Sequence, residues 1–420
     1  FNLDRDGSAG VYLDTFDISE TETFTQEINL NIERDTMSLV FGLFYMDDET
    51  SRHTHFDNPQ PILGFPVPSM FDFKHDKMDT ESEAYFADGT FDLNDTTRLS
   101  LGVRRTTDEF TSKQDNFISI LMPMPVIAAQ TCDREVVTEY SSTTSRAVIQ
   151  HDLSSDSNVY ASLSEGFKAG GYATYECTDP YDPEEVAYFE VGTKGMWMGG
   201  RLLANLSYFN GEHTDMIVSA ITDASSRNVN FDAVNEGFEG ELSYLLTPTI
   251  RVDFNFLEVT AEVDGVAMLV DPLNINNGTM RIPSPATGNM VDEVPGSNGL
   301  MQVGWTDAGP IFKFAGYSCN SPFFNPLGGV LCNNAIPQDV GGNTLPGAPG
   351  SSYNLAVTKT LFASSGVYDF RIQHSYTGER EADIYNSAHL QVPESEFTDL
   401  NLPFTRSQKI VSFFKSFPIS

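Results

Sequence analysis

Four cysteines are the residues of this chain whose chemistry depends most on their spacing. No CxxC pair occurs among them, and no histidine lies near them at zinc-finger distances. We therefore expect disulfides in an oxidising compartment rather than structural zinc, with free thiols as the alternative. All four lie in stretches rich in Pro, Asn, Asp and Gly, and they are Cys132, Cys177, Cys319 and Cys332. The short stretch between the last two contains Pro and Gly, which favours 319 with 332 as the local pair and leaves 132 with 177 as the distant one.

Patterns for catalysis or metal binding are few. The chain has no GxSxG, no HExxH and no cysteine beside a histidine. His53 and His55 alternate and could share one strand face as metal ligands, but a solvated loop is the stronger interpretation. Asn2 to Gly7 imitates the start of a calcium loop, yet Leu13 occupies the twelfth position, where a bidentate Glu is required. We predict no catalytic residues, no cofactor and no metal site, and we expect that the protein is not an enzyme.

Composition excludes other classes of protein. The 420 residues include 24 Lys and Arg against 59 Asp and Glu, a formal net charge of -35. Recognition of nucleic acid requires a basic surface, so we expect no nucleic-acid partner. Aromatic residues make up 12% of the chain, which predicts a folded protein. No run of 18 apolar residues could form a membrane-spanning helix, whereas a membrane-spanning barrel remains compatible because its strands alternate.

The elements that would position these residues are strands. Apolar and polar residues alternate with period two, as where Leu206 and Tyr208 oppose Asn205 and Ser207. The clearest segments are 24–33, 98–104, 202–208, 250–256 and 367–376. The alternation slips at Phe256-Leu257, which predicts a β-bulge. No long amphipathic helical pattern occurs, so we predict an all-β protein.

Short and long connections take turns along the chain. The short links are Arg34 to Thr36, Asn94 to Thr96, Ser154 to Ser157, Met198 to Gly200, Thr247-Pro248, Asp307 to Pro310 and Ala363 to Gly366. The expected long loops are 49–78, 109–141, 168–184, 213–227, 264–298, 318–350 and 379–394. Tight turns at one end and long loops at the other are typical of outer-membrane barrels, and the links give about 14 to 16 antiparallel strands.

The width of such a barrel determines which face of its wall contacts water. About eight strands already enclose a filled interior, so a barrel nearly twice as wide requires a hydrated lumen and an apolar exterior. The aromatic pairs Phe44-Tyr45 and Tyr208-Phe209 end their strands on the loop side, where we expect an aromatic girdle. A β-propeller or stacked sandwich is the soluble alternative, but no repeat of blade length is present.

One region of the chain carries a family resemblance. Residues 157–216 contain, after Tyr160, a set of motif positions in the order Gly166, Phe167, Lys168, Gly170, Gly171, Glu190, Gly192 and Lys194. Further matches are 24–27 leading into 41–45, 235–240 and 345–349. Together they resemble the TonB-dependent receptors of Gram-negative outer membranes. We interpret the motif positions as barrel scaffold: Glu190 and Lys194 would face the lumen, Gly192 would allow close backbone approach, and 166–171 would lead from a strand into an extracellular loop.

The resemblance implies a function and partners. It implies an energy-coupled receptor for a scarce nutrient, most often an iron-siderophore complex, that lies in outer-membrane lipid and is driven by TonB through a plug domain. The alternatives are a passive porin-like or adhesin-like barrel and a secreted all-β carbohydrate-active enzyme. Residues 1–420 match only barrel features, and the last residues depart from the family pattern. We therefore expect a single barrel domain, incomplete at both ends and without a plug, from a family barrel of about 22 strands.

Overall fold

The computed structural model describes residues 2–4, 14–58, 69–120, 127–172, 180–222, 225–269, 281–283, 290–292, 300–306, 309–314, 338–387 and 391–405. The regular elements in these ranges are all β-strands. They are β1 Asn2–Asp4, β2 Asp14–Arg34, β3 Met37–Asn58, β4 Ser69–Asn94, β5 Thr97–Ile120, β6 Ile127–Ser154, β7 Ser157–Lys168, β8 Glu184–Trp197, β9 Leu202–Thr222, β10 Ser225–Thr247, β11 Ile250–Val263, β12 Met268–Leu269, β13 Arg281–Pro283, β14 Met290–Asp292, β15 Leu300–Thr306, β16 Gly309–Phe314, β17 Gln338–Asp339, β18 Ser351–Ala363, β19 Gly366–Thr377, β20 Ser395–Asn401 and β21 Phe404–Thr405. Within the described residues, no helix is long and apolar enough to cross a membrane.

Fifteen of these strands form one antiparallel sheet. Its order follows the chain from β1 to β11 and continues through β18, β19 and β20, while β21 also pairs with β19. From β1 to β11 each strand therefore bonds to the next strand along the chain, as in an up-and-down barrel wall. The predicted all-β class and the strand number of about 14 to 16 are confirmed.

The tight turns lie where the sequence predicts them. All seven short links connect successive strands; β8, for example, ends at Trp197 and β9 begins at Leu202. In that turn Met198, Gly199 and Gly200 have φ of 55°, 68° and 82°. The left-handed conformation costs glycine little, which explains the two consecutive glycines in this link.

One predicted hairpin has a different place in the fold. β15 and β16 are joined at the expected link but form a two-stranded sheet of their own. β11 instead pairs directly with β18, through nine consecutive residue pairs from Ile250 to Glu258. The interpretation of 307–310 as one more turn of the main sheet is therefore wrong. The segment between β11 and β18 is an insertion at the loop end, since it begins and ends there.

Three predicted loops are wrong, because the chain remains in the sheet. The described residues of 49–78, 109–141 and 213–227 belong to β3 through β6, β9 and β10, and β6 alone has 28 residues. Cross-strand partners continue along these segments, as where Asp79 pairs with Thr111. Pairing between strands satisfies the backbone hydrogen-bonding groups in these segments as fully as it does near the tight turns. The predicted loops 168–184 and 379–394 contain no regular strand between their ends in the described residues.

The predicted bulge at Phe256-Leu257 is also wrong. Both residues continue an unbroken register with β10 and with β18. Beyond Leu257 the apolar residues of β11 lie on the other face of the sheet, because a different face of the strand is buried there. Beyond this point Val263 is 2% exposed and packs in a small hydrophobic core. That core joins β10 and β11 to the insertion and to residues near β20, through Phe231, Val263, Ala267, Leu269, Val340 and Ile384.

The two faces of the main sheet differ in polarity near the tight turns. On one face large apolar side chains are exposed, including Ile28 at 58%, Leu43 at 51% and Leu206 at 40%. Ser207, the next residue of β9, is 8% exposed and donates a hydrogen bond to Glu239. Exposed apolar side chains at alternate positions of neighbouring strands form the continuous band expected of a surface that contacts lipid.

The aromatic pairs divide between the two faces. Tyr45 and Tyr208 share the apolar face, and their hydroxyls donate to Glu81 and Glu236 on the loop side at 2.8 and 3.1 Å. Phe209 is 7% exposed on the opposite face. The prediction that these pairs end their strands is wrong, because β3 continues to Asn58 and β9 to Thr222. Only the tyrosine of each pair lies on the apolar face, since successive residues of a strand point to opposite faces, and the aromatic girdle stays a prediction.

Candidate functional site

The motif residues of β8 lie on its polar face, beside Tyr160 of β7. The Tyr160 hydroxyl donates a hydrogen bond to Glu190, and Lys194 Nζ lies 4.9 Å from the centroid of the Tyr160 ring. A Cβ at Gly192 would lie 2.6 Å from the Leu206 carbonyl oxygen and 2.8 Å from the Tyr160 hydroxyl oxygen. Glycine therefore leaves the space in which the tyrosine crosses the neighbouring strand. The scaffold role of these positions stays a prediction, and this geometry supports it.

The second motif begins where β7 leaves the sheet. Gly166 pairs with Val186, Phe167 with Glu185 and Lys168 with Glu184, after which the strand ends. This is the expected exit from a strand into a loop.

Beyond the exit, the chain forms a short strap that is fixed to the sheet. We use this name for the described residues 169–172 and 180–183. Gly171 and Tyr181 exchange backbone hydrogen bonds of 2.9 and 3.3 Å. Asn230 of β10 accepts a bond from the Asp182 backbone nitrogen at 3.0 Å and donates one to the Asp182 carbonyl oxygen at 2.8 Å. Hydrogen bonds therefore hold the two arms of the strap, 169–172 and 180–183, to each other, and Asn230 holds its base at Asp182.

Gly170 is the tightest point of the strap. A Cβ at this position would lie 2.2 Å from the Tyr181 carbonyl oxygen and 2.8 Å from the ring of Tyr140 in β6. The Tyr140 hydroxyl also donates to the same carbonyl oxygen at 3.2 Å. Burial, with Tyr172 and Asp182 nearby, raises the pKa of Tyr140 to about 12, so the hydroxyl remains a donor at neutral pH.

A cavity of about 240 Å³ lies between the strap and the loop-end parts of β3, β4 and β5. Asp48, Thr80 and Phe110 are direct cross-strand neighbours and form one row of its wall. Thr50, Met78 and Ser112 form the next row. The strap contributes Gly170, Gly171, Tyr172 and Tyr181. The cavity therefore combines aromatic and thioether surface with hydroxyl groups and the acidic residues Asp48 and Asp79, a typical lining for a small-molecule site.

Two groups give this lining its specific chemistry. The Asp48 carboxylate accepts hydrogen bonds from Thr23 and from Thr50, the second at 3.3 Å. The Tyr172 hydroxyl is buried and has no hydrogen-bond partner in the described part of the chain. Burial raises the pKa of Tyr172, and the nearby Arg134 partly offsets this. A neutral phenol with an unused hydrogen-bond donor and an anionic carboxylate therefore line the same cavity.

An acidic group lies next to the strap on β9 and β10. Burial, together with Asp232, Asp182 and Glu185, raises the pKa of Asp215. Asp215 has a φ of 53°, and its carbonyl oxygen accepts a 2.7 Å bond from Asn230. The base of the strap therefore lies in a negative field created by Asp182 of the strap and by acidic residues of β8, β9 and β10.

The remaining candidates from the sequence are the possible metal ligands and the four cysteines. His53 and His55 lie in β3, and no group of three or more His, Cys, Asp or Glu in the described ranges is placed to hold a metal ion. Leu13, at the twelfth position of the calcium-like segment, is not described. Cys132 lies in β6 opposite Asn116, and its side chain is not described. Cys177, Cys319 and Cys332 also fall outside the described residues, so both disulfides stay predictions.

Sequence reasoning missed the cavity itself. Gly170 and Gly171 were interpreted as scaffold, yet both line it. Asp48 and Phe110 lie in segments interpreted as loops, so nothing indicated that they share a face. Tyr172 and Tyr181, which belong to the strap, were the available signal, because aromatic residues in a polar connection are typical of a binding surface.

Known proteins resemble this chain in sequence and fold. Residues 2–410 match the family model described as TonB dependent receptor-like, beta-barrel. The Ferric-pyoverdine 358 receptor of Pseudomonas putida is 27% identical over 248 residues, which cover 55% of this chain and 29% of that protein. The Ferric-pyoverdine BN7/BN8 receptor of the same organism is 28% identical over 118 residues, 26% of this chain and 15% of that protein.

Solved structures show the same fold at low identity. The ferric yersiniabactin uptake receptor FyuA of Yersinia pestis superposes with a TM-score of 0.62 at 15% identity, over 94% of this chain and 48% of that one. The copper transporter OprC gives 0.60 at 12% identity, over 96% of this chain and 52% of that one. The chain thus spans about half the length of these structures. With the family model matched almost from end to end, the chain belongs to the TonB-dependent receptor β-barrel family and is a protein of the Gram-negative outer membrane.

Proposed function

We propose that this chain forms the barrel wall of an outer-membrane receptor for the energy-coupled uptake of an iron-siderophore complex. The family match over residues 2–410 carries the proposal. The family is one of receptors rather than enzymes, which favours uptake over carbohydrate hydrolysis. Three of the relatives are receptors for ferric siderophores by name, whereas OprC is a copper transporter. The family match therefore supports a receptor, and the iron-siderophore cargo rests on the names of the relatives.

The proposed mechanism is noncovalent. The strap and the loop-end strand extensions contribute to the site that captures the nutrient. TonB, driven by the proton gradient of the inner membrane, then acts through the plug of such a receptor to open a path along the polar lumen. The apolar face of the sheet holds the wall in outer-membrane lipid.

Uptake by cells tests the proposal. The native protein that contains this chain is expressed in an iron-starved strain without other siderophore receptors, and ⁵⁵Fe accumulation is measured with ferric pyoverdine and ferric yersiniabactin. We expect accumulation of at least one complex in cells with TonB, and none in otherwise identical cells without it.

Two results would contradict the proposal. Equal accumulation with and without TonB would indicate the passive porin-like alternative. No accumulation of either complex, with the protein present in the outer membrane by surface labelling, would remove the iron-siderophore assignment.

A further inference from the structure

The cavity beneath the strap is too small for a whole siderophore. Its volume of about 240 Å³ is below the roughly 300–1,000 Å³ of pockets that enclose a drug-sized ligand. It therefore fits one arm of a larger ligand, or a small molecule of similar size. Its walls come from the polar face of β3, β4 and β5 and from the strap, so an arm would enter from the mouth of the barrel.

The carboxylate of Asp48 gives the cavity its charge. Its hydrogen bonds come from two threonine hydroxyls, and no Lys, Arg or His among the described residues forms an ion pair with it. Asp79 also lines the cavity, but its carboxylate lies 2.7 Å from Lys77 Nζ and is compensated. Asp48 is thus a half-buried anion that lacks a cationic partner, and an ammonium or similar cation would supply one.

The strap presents rings and an unused hydroxyl to the same space. Tyr172 and Tyr181 line the cavity together with Phe110, and aromatic faces attract cations. The buried Tyr172 hydroxyl has no hydrogen-bond partner among the described residues, a state that is unfavourable unless a ligand or water supplies one. Arg134, whose guanidinium carbon lies 5.8 Å from the Tyr172 ring centroid, does not line the cavity.

We propose that this cavity is a subsite for a positively charged arm of the ligand. The cationic group binds the Asp48 carboxylate, the stem of the arm packs on Phe110 and Met78, and a polar atom of the arm bonds to the Tyr172 hydroxyl. The net charge of -35 assists by raising the local concentration of cations. The assignment of the arm to a siderophore rests on the proposed function, whereas the preference of the cavity for a cation does not.

Two small probes test the charge preference. Tyramine carries an ammonium on a phenol at neutral pH, and 3-(4-hydroxyphenyl)propionate carries a carboxylate on the same scaffold. Binding of each to the native protein in detergent is measured by saturation-transfer NMR and calorimetry. We expect tyramine to bind at millimolar concentration and the carboxylate not to bind. Equal binding of the two probes, or no binding of tyramine, would overturn the proposal.

Variants of adjacent residues place the binding in this cavity. Asp48→Asn should weaken tyramine binding about tenfold, because a charge-assisted hydrogen bond is lost. Tyr172→Phe should weaken it about threefold to tenfold, since only the hydroxyl is removed. Asp47→Asn is the matched control, because Asp47 points to the opposite face of β3 and should leave binding unchanged. Equal losses for Asp47→Asn and Asp48→Asn would refute the subsite.

The subsite and the proposed function fail separately. Asp48-dependent binding of tyramine without TonB-dependent uptake of iron would keep the subsite and remove the siderophore assignment. Uptake of iron without any binding of tyramine would remove the subsite alone.

Discussion

Each long hairpin of this barrel has two regions that share one hydrogen-bonded ladder but differ in their side chains. Near the tight turns the outward face is apolar, as at Leu43 of β3 and Leu206 of β9. Six residues further along the same faces lie Glu49 and Glu212. The backbone pairing is continuous across the change, because residues 43–49 of β3 pair consecutively with β4 and residues 206–212 of β9 pair consecutively with β10. The surrounding solvent, rather than the secondary structure, therefore determines which types of side chain occur in each region.

A row of carboxylates marks where the two regions meet. Asp47, Glu81, Glu109 and Glu139 are direct cross-strand neighbours on the outward face of β3 to β6. Like charges that face each other across a ladder destabilise a sheet, and in hydrocarbon their cost would be far greater. Water therefore reaches this row. The next row nearer the tight turns is mixed, since Tyr45 pairs there with the exposed Glu83 on the outward face, and the boundary lies at this row.

The largest expected effect comes from charging the apolar region. Leu206→Arg should destabilise the complete barrel by about 2–4 kcal/mol, because its side chain faces the bilayer interior. Ser207→Arg, on the polar face of the same strand, should cost much less. Glu212→Arg, on the same face as Leu206 but in the extension, should change stability by less than about 0.5 kcal/mol. Urea unfolding in lipid vesicles measures all three, and equal costs for Leu206→Arg and Glu212→Arg would break the comparison.

The sequence predicts the apolar region well for a physical reason. Contact with lipid requires an apolar residue at every second position, so alternation is visible in the segments of β2, β5, β9, β11 and β19. All seven tight links were found because turns require Gly, Asp, Asn and Pro at specific positions. The extensions carry no such requirement. Water on both faces accepts Thr, Ser, Asp and Glu in any order, and segments such as 109–141 were therefore interpreted as loops.

The cavity was less predictable because it depends on register. Asp48, Thr80 and Phe110 are neighbours only through the pairing of three long strands. The motif Gly170-Gly171 was visible, but its reason, the close approach of Tyr140 and Tyr181, is a tertiary contact.

A smaller effect is expected from filling the tightest point of the strap. Gly170→Ala places a methyl group where the Tyr181 carbonyl and the Tyr140 ring already lie, so the strap must shift at a cost of about 1–3 kcal/mol. Gly350→Ala is the control, because a Cβ there meets no atom within 4 Å. Limited proteolysis of the strap and tyramine binding measure the shift. Unchanged proteolysis and binding in Gly170→Ala would show that the strap is not held by this contact.

The next effect concerns an ion pair in the extension. Hydrogen bonding from Arg52 lowers the pKa of Asp17, and Arg52 Nε donates to its carboxylate at 3.0 Å. The pair therefore adds stability above the unfolded-state pKa near 3.9, and this is lost as the pH falls through the folded value. Asp17→Asn should cost about 0.5–1 kcal/mol in unfolding free energy at pH 7, and this cost should shrink as the pH falls through the folded-state pKa. A cost that persists in acid would assign the effect to packing instead of charge.

The smallest effect has the opposite sign, at the base of the strap. The pKa of Asp215 is raised by burial and by Asp232, Asp182 and Glu185, so its charged form is disfavoured in the folded state. Stability is thus fully present below the unfolded-state pKa and falls as the pH rises through the folded one.

Asp215→Asn removes this charge and, because Asn tolerates the positive φ of 53°, keeps the backbone conformation. We expect a gain of about 0.5 kcal/mol at pH 7 that vanishes near pH 3, measured as the difference in unfolding free energy between variant and native protein. Asp215→Ala separates charge from conformation, since it removes the same carboxylate but adopts the left-handed region less readily. A gain at pH 7 in both variants would show that the backbone at this position is not strained, whereas a loss in Asp215→Asn would show that the carboxylate stabilises the strap despite its acidic neighbours.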